Sequence, residues 1–571
     1  MDLPVDPEDL TRVEVFRGGA SSALGTGAMT GAVALTAGPS TKDGTLLVAE
    51  SGSNAWMRAK VTHDFGSDVA RHRIAVSRMG TNGTLGSNTN TDASILRARY
   101  AGWLGGDWGT LRTSVGYAGK AFGALNFYTS SFPYQYEETQ TIQGQAVYSK
   151  SIDNLSFEAA LHHRTHIDEF HLYRQGDGFY EYTDDAYLVF AGDTAGVYRI
   201  NGVTQKDSLT GRTIIWYQAP NNHISHTSGG RLLARYSSML GETFVSAAVR
   251  REFIKSNRLG VERHGDEDES SVYQLGDSRL NADVALGHRA ELGSLALSMT
   301  AAWNINSMFG TRFVPGAELS LDMAGDGSSI LFASANRSVR HPSYTDLYYN
   351  IGGAQGSLDL NPEWADHLEA GLRVRLADGK YDVQLEQLIF RRQGQNLIDW
   401  ATPNGDSTTY AINLREVTFS GLETVVNVIP KRSTNAPGQA RYARFGFTTM
   451  EASESSEGFE SNYVLDGLKT KIDASFGVNL DLGLLLDVRY TYQDRLGGFI
   501  GAESDEEEEY EPFSLLSFTL SRHFANEAFR AYVRVDNAWD VNYVDLGNIE
   551  QPGRWVPVSY THLTLPTTTI V

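Results

Sequence analysis

Apolar and polar side chains alternate along nearly the whole 571-residue chain. In Thr110–Tyr117, Leu111, Thr113, Val115 and Tyr117 fall on one side, with Arg112, Ser114 and Gly116 on the other. Leu155, Phe157, Ala159 and Leu161 alternate with Ser156, Glu158, Ala160 and His162, and the same holds over Leu484–Gln493 and Phe529–Val535. A period of two is the signature of a β-strand with two unlike faces, and no sustained 3.6-residue period competes with it. The runs are about ten residues long, enough for a tilted strand to cross a bilayer. Tyr and Phe recur near their ends, as interfacial girdles require. A soluble propeller would repeat every ~40–50 residues, and no such repeat is visible. No window holds 18 consecutive apolar residues, so any crossing falls to strands. The expected fold is all-β: a transmembrane antiparallel β-barrel.

The connections are unequal. Leu104-Gly105-Gly106-Asp107 reads as a tight turn, whereas 176–225, 261–275, 429–463 and 497–512 read as long polar loops. Short turns at one end and long loops at the other are the asymmetry of outer-membrane barrels. The abundance of Gly (57), Tyr (27) and Phe (25) suits strands, and the absence of Cys excludes disulfides and thiolate metal sites. A formal charge of −21 argues against a nucleic-acid partner, which would need a basic face.

Candidate sites are few. Asp505, Glu506 and Glu507 belong to an acidic run that reads as a solvated loop tip, with a Ca²⁺ site as the alternative; the spacing of a known calcium loop is missing. His162, His163, His166 and His171 lie near Asp168 and Glu169, but 162 and 166 share a strand face while 163 takes the other, so a metal site is not expected. Tyr344, Tyr348 and Tyr349 fall in a loop where aromatics could contact a large ligand or form part of a girdle. No nucleophile elbow, zinc-protease motif or phosphate loop occurs, so no enzyme and no cofactor is expected.

Residues 9–38 differ from the rest. A short strand, Val13–Phe16, runs into Arg17-Gly18, then a small-residue stretch punctuated by Gly25, Gly27 and Gly31, then another apolar run. The stretch lacks the Gly-Lys-Ser/Thr ending of a phosphate loop. It resembles the end of the plug domain of TonB-dependent receptors, with Leu24 where the family usually has Tyr and Ala32 where it often has Gly. Arg340–Tyr349, Leu358–Glu363, Leu368–Gly371, Asn396–Trp400, Ala411–Leu414, Gly421–Glu423, Val535–Asp540 and Gln551–Trp555 are similar to later family segments, in order.

The resemblance implies a barrel of about 22 strands around a plug, in the outer membrane of a Gram-negative-type bacterium. The implied divisions are a C-terminal plug remnant at 1–38, a barrel at 39–557 and a non-native, adapter-derived tail at 558–571. Arg17 and the plug glycines would hold the plug in the lumen. Signal peptide, TonB-contacting box and most of the plug are expected to precede Met1, so the chain reads as truncated. Pro566 in the closing strand predicts a damaged last strand and an open edge. The implied function is active uptake of a scarce large ligand, with the TonB complex, membrane lipids and a ligand-capturing surface lipoprotein as partners. Phe122–Tyr128, Phe132–Glu137, Arg164–Arg174 and Glu252–Gly260 are similar to segments of cobalamin-type receptors, which points to a corrinoid, with a ferric siderophore as the alternative. The rivals from other classes are a passive porin-like channel and a non-transporting surface β-barrel binding protein.

Overall fold

The structure is a computed structural model that describes residues 3–564, except 20, 86–89, 128–133, 177–178, 183–187, 191–196, 201–202, 207–211, 214–219, 264–271, 378, 404–407, 432–435, 455–458, 462–466, 501–506, 526–527 and 548. Its main body is a closed barrel of 22 antiparallel strands. Each wall strand pairs with the next wall strand in sequence, so the expected antiparallel barrel is an up-and-down meander. Tight turns follow Ser67, Gly106, Ile152, Ser238 and Leu292 at one end. The long connections gather at the other end.

The side-chain distribution is that of a barrel in lipid. In the strand Met57–Ser67, Arg58, Lys60, Thr62 and Asp64 point into the lumen, while Met57, Val61 and Phe65 are exposed. Lys60 is 2% exposed and Val61 48%, the inverse of a water-soluble core. The same outward band runs through Val76, Leu96, Val115, Ile142, Leu161, Leu232, Leu286, Phe313, Leu331 and Ile389. Water would penalise this surface at roughly 25 cal/mol per Å², whereas lipid tails accept it. His63, Phe65, His72 and Tyr100 form a ring-to-ring row near the tight-turn end, as an interfacial girdle would.

Two sequence expectations are corrected. The last strand is intact: Val558–Thr564 pairs with Gly44–Ser51 on one side and Phe529–Val535 on the other, closing the barrel with no open edge. Pro566, on which the expected damage rested, lies outside the described residues. The stretch 429–463 is not one loop, because Ala440–Glu454 is a wall strand paired on both sides. Its alternation (Phe445 and Phe447 against Arg444, Gly446 and Thr448) is weakened by small residues, which hid it in the sequence.

A hairpin stands apart from the barrel sheet. Strands β1 (Leu10–Arg17) and β2 (Gly31–Ala37) pair antiparallel, with Val13 opposite Leu35 and Arg17 opposite Gly31. Residues 18–30 link them through a one-turn helix, α1 (Ser21–Leu24). The link touches the inner wall: the Gly27 N–H donates to the Val339 carbonyl at 3.0 Å, and the Ser338 hydroxyl to the Met29 carbonyl at 3.0 Å. The hairpin therefore occupies the lumen.

Candidate functional site

The Arg-Gly turn at the end of β1 meets an acidic stretch of wall. Arg17 Nη1 lies 2.7 Å from Glu386 Oε1 and 3.5 Å from Glu423 Oε2, on the neighbouring strands Tyr381–Pro403 and Thr409–Pro430. Arg373 shares Glu386 at 3.5 Å. Gly18 has φ of +69°, a backbone that calls for glycine, and a Cβ there would displace the Glu369 carboxylate. At Gly31, a Cβ would sit 2.5 Å from the Phe16 carbonyl oxygen across the hairpin. Gly25 faces Asp283, and Gly27 supplies the N–H that reaches Val339. The sequence-predicted plug residues thus share one link, but Arg17 and Gly18 contact one part of the wall and Gly25 and Gly27 another.

A second attachment was not foreseen from the sequence. Asp6, Glu8 and Asp9, just before β1, meet a basic patch on the strands Met57–Ser67, Ala70–Thr81 and Ala93–Gly106. Lys60 Nζ lies 2.9 Å from Asp9, 3.3 Å from Glu8 and 3.6 Å from Asp6. Arg58 reaches Glu8 at 2.6 Å, Arg97 reaches Asp6 at 3.2 Å, and Ser77 donates to Asp6 at 2.6 Å. Burial pushes the Glu8 carboxyl up, but the hydrogen bond and charge of Arg58, with Lys60 beside it, outweigh burial and bring it down to about 2. The available signal was Arg58 and Lys60 at strand period two, complementary to the Asp6–Asp9 acidic run. Between hairpin and wall lies a cavity of about 980 Å³, whose lining includes Glu14, Arg99, Arg112, Glu158 and His162.

At the long-loop end, Ser343 opens the short helix α2 (Tyr344–Tyr348). Its hydroxyl accepts from the Asp346 N–H at 3.1 Å, and Asp346 accepts from the Ser343 N–H at 2.8 Å, a complete capping box. The helix is fixed beneath by Leu347, packed with Leu360, Ile398 and Ala411. Tyr344 and Tyr348 stack at 6.4 Å, the Arg279 guanidinium lies 5.0 Å from the Tyr344 ring, and the Tyr348 hydroxyl donates to Asp277 at 2.7 Å. Tyr349 turns away to meet Trp400 edge-on at 6.2 Å. Burial raises all three phenols above their ordinary value, so they are neutral donors at physiological pH. The structure thus joins Tyr344 and Tyr348 in one half-buried ledge and puts Tyr349 against the wall.

Of the segments that resemble cobalamin-type receptors, residues 128–133 lie outside the described residues, and Tyr136, Arg174 and Glu252 lie toward the same long-loop end. Arg174 stacks 4.5 Å from the Tyr136 ring and 4.2 Å from the Phe179 ring, and grips Asp92 through two nitrogens at 2.5 and 2.9 Å. Glu252 pairs with Arg279 at 2.5 Å, and its carbonyl accepts from Tyr344 at 3.4 Å. The four histidines do not converge: His162 faces the lumen, His163 bonds to Ser228 on the outside, His166 to Thr141, and His171 to Glu169. Glu507 lies in the short strand Glu507–Glu509, and Asp505 and Glu506 lie outside the described residues.

Solved structures share this architecture. The siderophore receptor PirA from Pseudomonas aeruginosa superposes with a TM-score of 0.68 at 14% identity, over 98% of this chain and 88% of that one. The FrpB iron transporter from Neisseria meningitidis, in its apoprotein form, gives 0.72 at 14% identity, over 98% and 88%. PirA from Acinetobacter baumannii gives 0.70 at 14%, over 98% and 86%. At this identity the likeness speaks for the fold. No curated protein matches the chain in sequence. The family profile described as TonB dependent receptor-like, beta-barrel matches residues 40–538, and receptors of this kind are outer-membrane proteins of Gram-negative bacteria. The chain belongs to the TonB-dependent receptor β-barrel family.

Proposed function

We propose that this chain forms the wall and plug hairpin of an energised receptor that takes up a large, scarce metal chelate, with a corrinoid as cargo. The observation that carries this reading is the Arg17–Glu386–Glu423 contact, which ties a separate element across the lumen. A passive pore has no need of such an element. Ion pairs of this kind hold at rest but yield one at a time when the plug is pulled, the work the TonB complex would do. Partly exposed charge pairs contribute on the order of 1 kcal/mol each, so the tether is breakable by modest force. Binding and gating call for no resident cofactor. A surface lipoprotein would hand ligand to the rim formed by Tyr344, Tyr348 and the Arg174 clamp.

The corrinoid is supported by the resemblance of four segments to cobalamin-type receptors, with Tyr136, Arg174 and Glu252 from three of them at the long-loop end. A second reading, a ferric siderophore, is favoured by the cargo named for the PirA receptors. Tryptophan fluorescence of the complete, folded protein separates them, with Trp400 beside Tyr349 as a reporter. Saturable quenching by cyanocobalamin is expected. A response to ferric enterobactin alone would transfer the cargo to the iron chelate, and silence toward both would overturn the metal-chelate reading. Single-channel conductance tests the gate: near-closed at rest supports a plugged transporter, and steady conductance supports a porin.

A further inference from the structure

On the outside of three adjacent strands, Leu155–His171, Asn221–Ser238 and Gly241–Ser256, the apolar band gives way to a basic, aromatic patch. The outward rows toward the tight turns carry exposed Phe157, Leu161, Leu232, Tyr236, Val245 and Val249. Above them, cross-strand register places His163, Ser228 and Arg251 in one row, Thr165, His226 and Phe253 in the next, and Ile167, Ile224 and Lys255 in the third. The imidazoles are fixed by neighbouring hydroxyls: His163 with Ser228 at 2.7 Å and His226 with Thr165 at 3.0 Å. His163 stacks on His226 at 6.0 Å, His226 on Phe253 at 5.9 Å, and Arg251 lies 5.9 Å from the Phe253 ring.

Two features point to an anion from the lipid phase. From the Tyr236–Thr243 row to Arg251 the tilted strand climbs about 20 Å, near the top of a ~25 Å apolar band, where headgroups begin. Among the described residues, no carboxylate pairs with Arg251 or Lys255. Arg337, at another outward position, is by contrast held by Asp366 through two bonds of 2.7 and 2.8 Å. Unpaired cations beside hydrocarbon are costly unless an anion compensates them. In a chain of net charge −21, such a patch is not a general surface property.

We infer that Arg251 and Lys255, with the stacked His163, His226 and Phe253 rings beside them, bind the phosphate of an outer-leaflet lipid. The inference rests on the outer-membrane reading of the barrel. Native mass spectrometry of the complete receptor in detergent, offered lipid A or fully dephosphorylated lipid A, tests it. Charge-assisted contacts to phosphate should favour the phosphorylated lipid about tenfold, and Arg251→Gln with Lys255→Gln should remove that preference. Arg78→Gln, at a separate outward position, should leave it unchanged. Equal retention of both lipids, or an unaltered preference in the double variant, overturns the site. Displacement of the lipid by 10 mM inorganic phosphate would show a free-anion site instead, and also overturns it (the concentration exceeds any plausible weak-site Kd, roughly 1 mM). Heat-modifiable gel mobility of each protein reports folding. If the double variant fails that check, Arg251→Gln alone decides, with about threefold weaker preference expected and no change overturning the site. Absence of heat-modifiable mobility in the unaltered protein would strike the membrane-barrel reading itself, a separate failure.

Discussion

Lys60 has no exposed side-chain surface, yet it stands in the wall of a wide lumen. Its charge is compensated by Asp9, Glu8 and Asp6, so it works as a rivet between wall and plug segment. Removing one member of a buried pair strands the others, at a cost of roughly 3–5 kcal/mol. Lys60→Met should therefore release residues 3–9 to protease while the barrel keeps its heat-modifiable mobility; a protected segment would show that the other cations suffice. Glu8 adds a pH dependence with a definite sign. Its folded pKa, about 2, lies below the ordinary value of 4.5. The contribution is thus complete above about 4.5 and is lost as pH falls through 2. Protease protection of this segment should persist at pH 5 and weaken toward pH 2, and Glu8→Gln should flatten that part of the profile. The turn at Arg17 and Gly18 was legible because an Arg-Gly step after a short strand is a local pattern. The Lys60 clasp was not, because its partners are some fifty residues apart and meet only when the barrel closes around them.

At the scale of elements, α2 shows how a short segment is held by its ends. Five residues cannot form a stable helix alone. The Ser343–Asp346 capping box and the Leu347 contact with the wall make it one. Ser343→Ala should cost about 1 kcal/mol locally. Hydrogen exchange at the Leu347 and Tyr349 amides should quicken about fivefold, with ligand affinity falling in parallel. Unchanged exchange would mean that packing of Leu347 alone fixes the helix. The tyrosines were readable as a loop feature, but their separation into a ledge (Tyr344, Tyr348) and a wall contact (Tyr349) depends on Arg279, Asp277 and Trp400 from other strands. Outward histidines follow a similar rule: His63, His72, His163, His226 and His288 each bond to a hydroxyl on an adjacent strand, which reduces the penalty of polar nitrogens beside lipid.

Closure is a property of the whole molecule. A barrel avoids exposed edges only if its first and last strands meet, and here Gly44–Ser51 meets Val558–Thr564. Deleting residues 558–571 would leave two unpaired edges. The shortened chain should aggregate and lose heat-modifiable mobility; retention of both compactness and mobility would show that closure does not depend on this strand. Alternation by itself determined the all-β class, because period two is written residue by residue and needs no partner; the membrane setting also needed the ten-residue run length, the aromatic run ends and the family resemblance. The resemblance of the plug-like stretch and of the later segments to TonB-dependent receptors carried both the family and the strand number. Only the tertiary structure decided that the last strand pairs, that Ala440–Glu454 belongs to the wall, and that two separate charge clusters hold the hairpin in the lumen. Those outcomes depend on which residues distant in sequence come within ion-pair and hydrogen-bond reach, and closing a ring of strands is the event that brings them together.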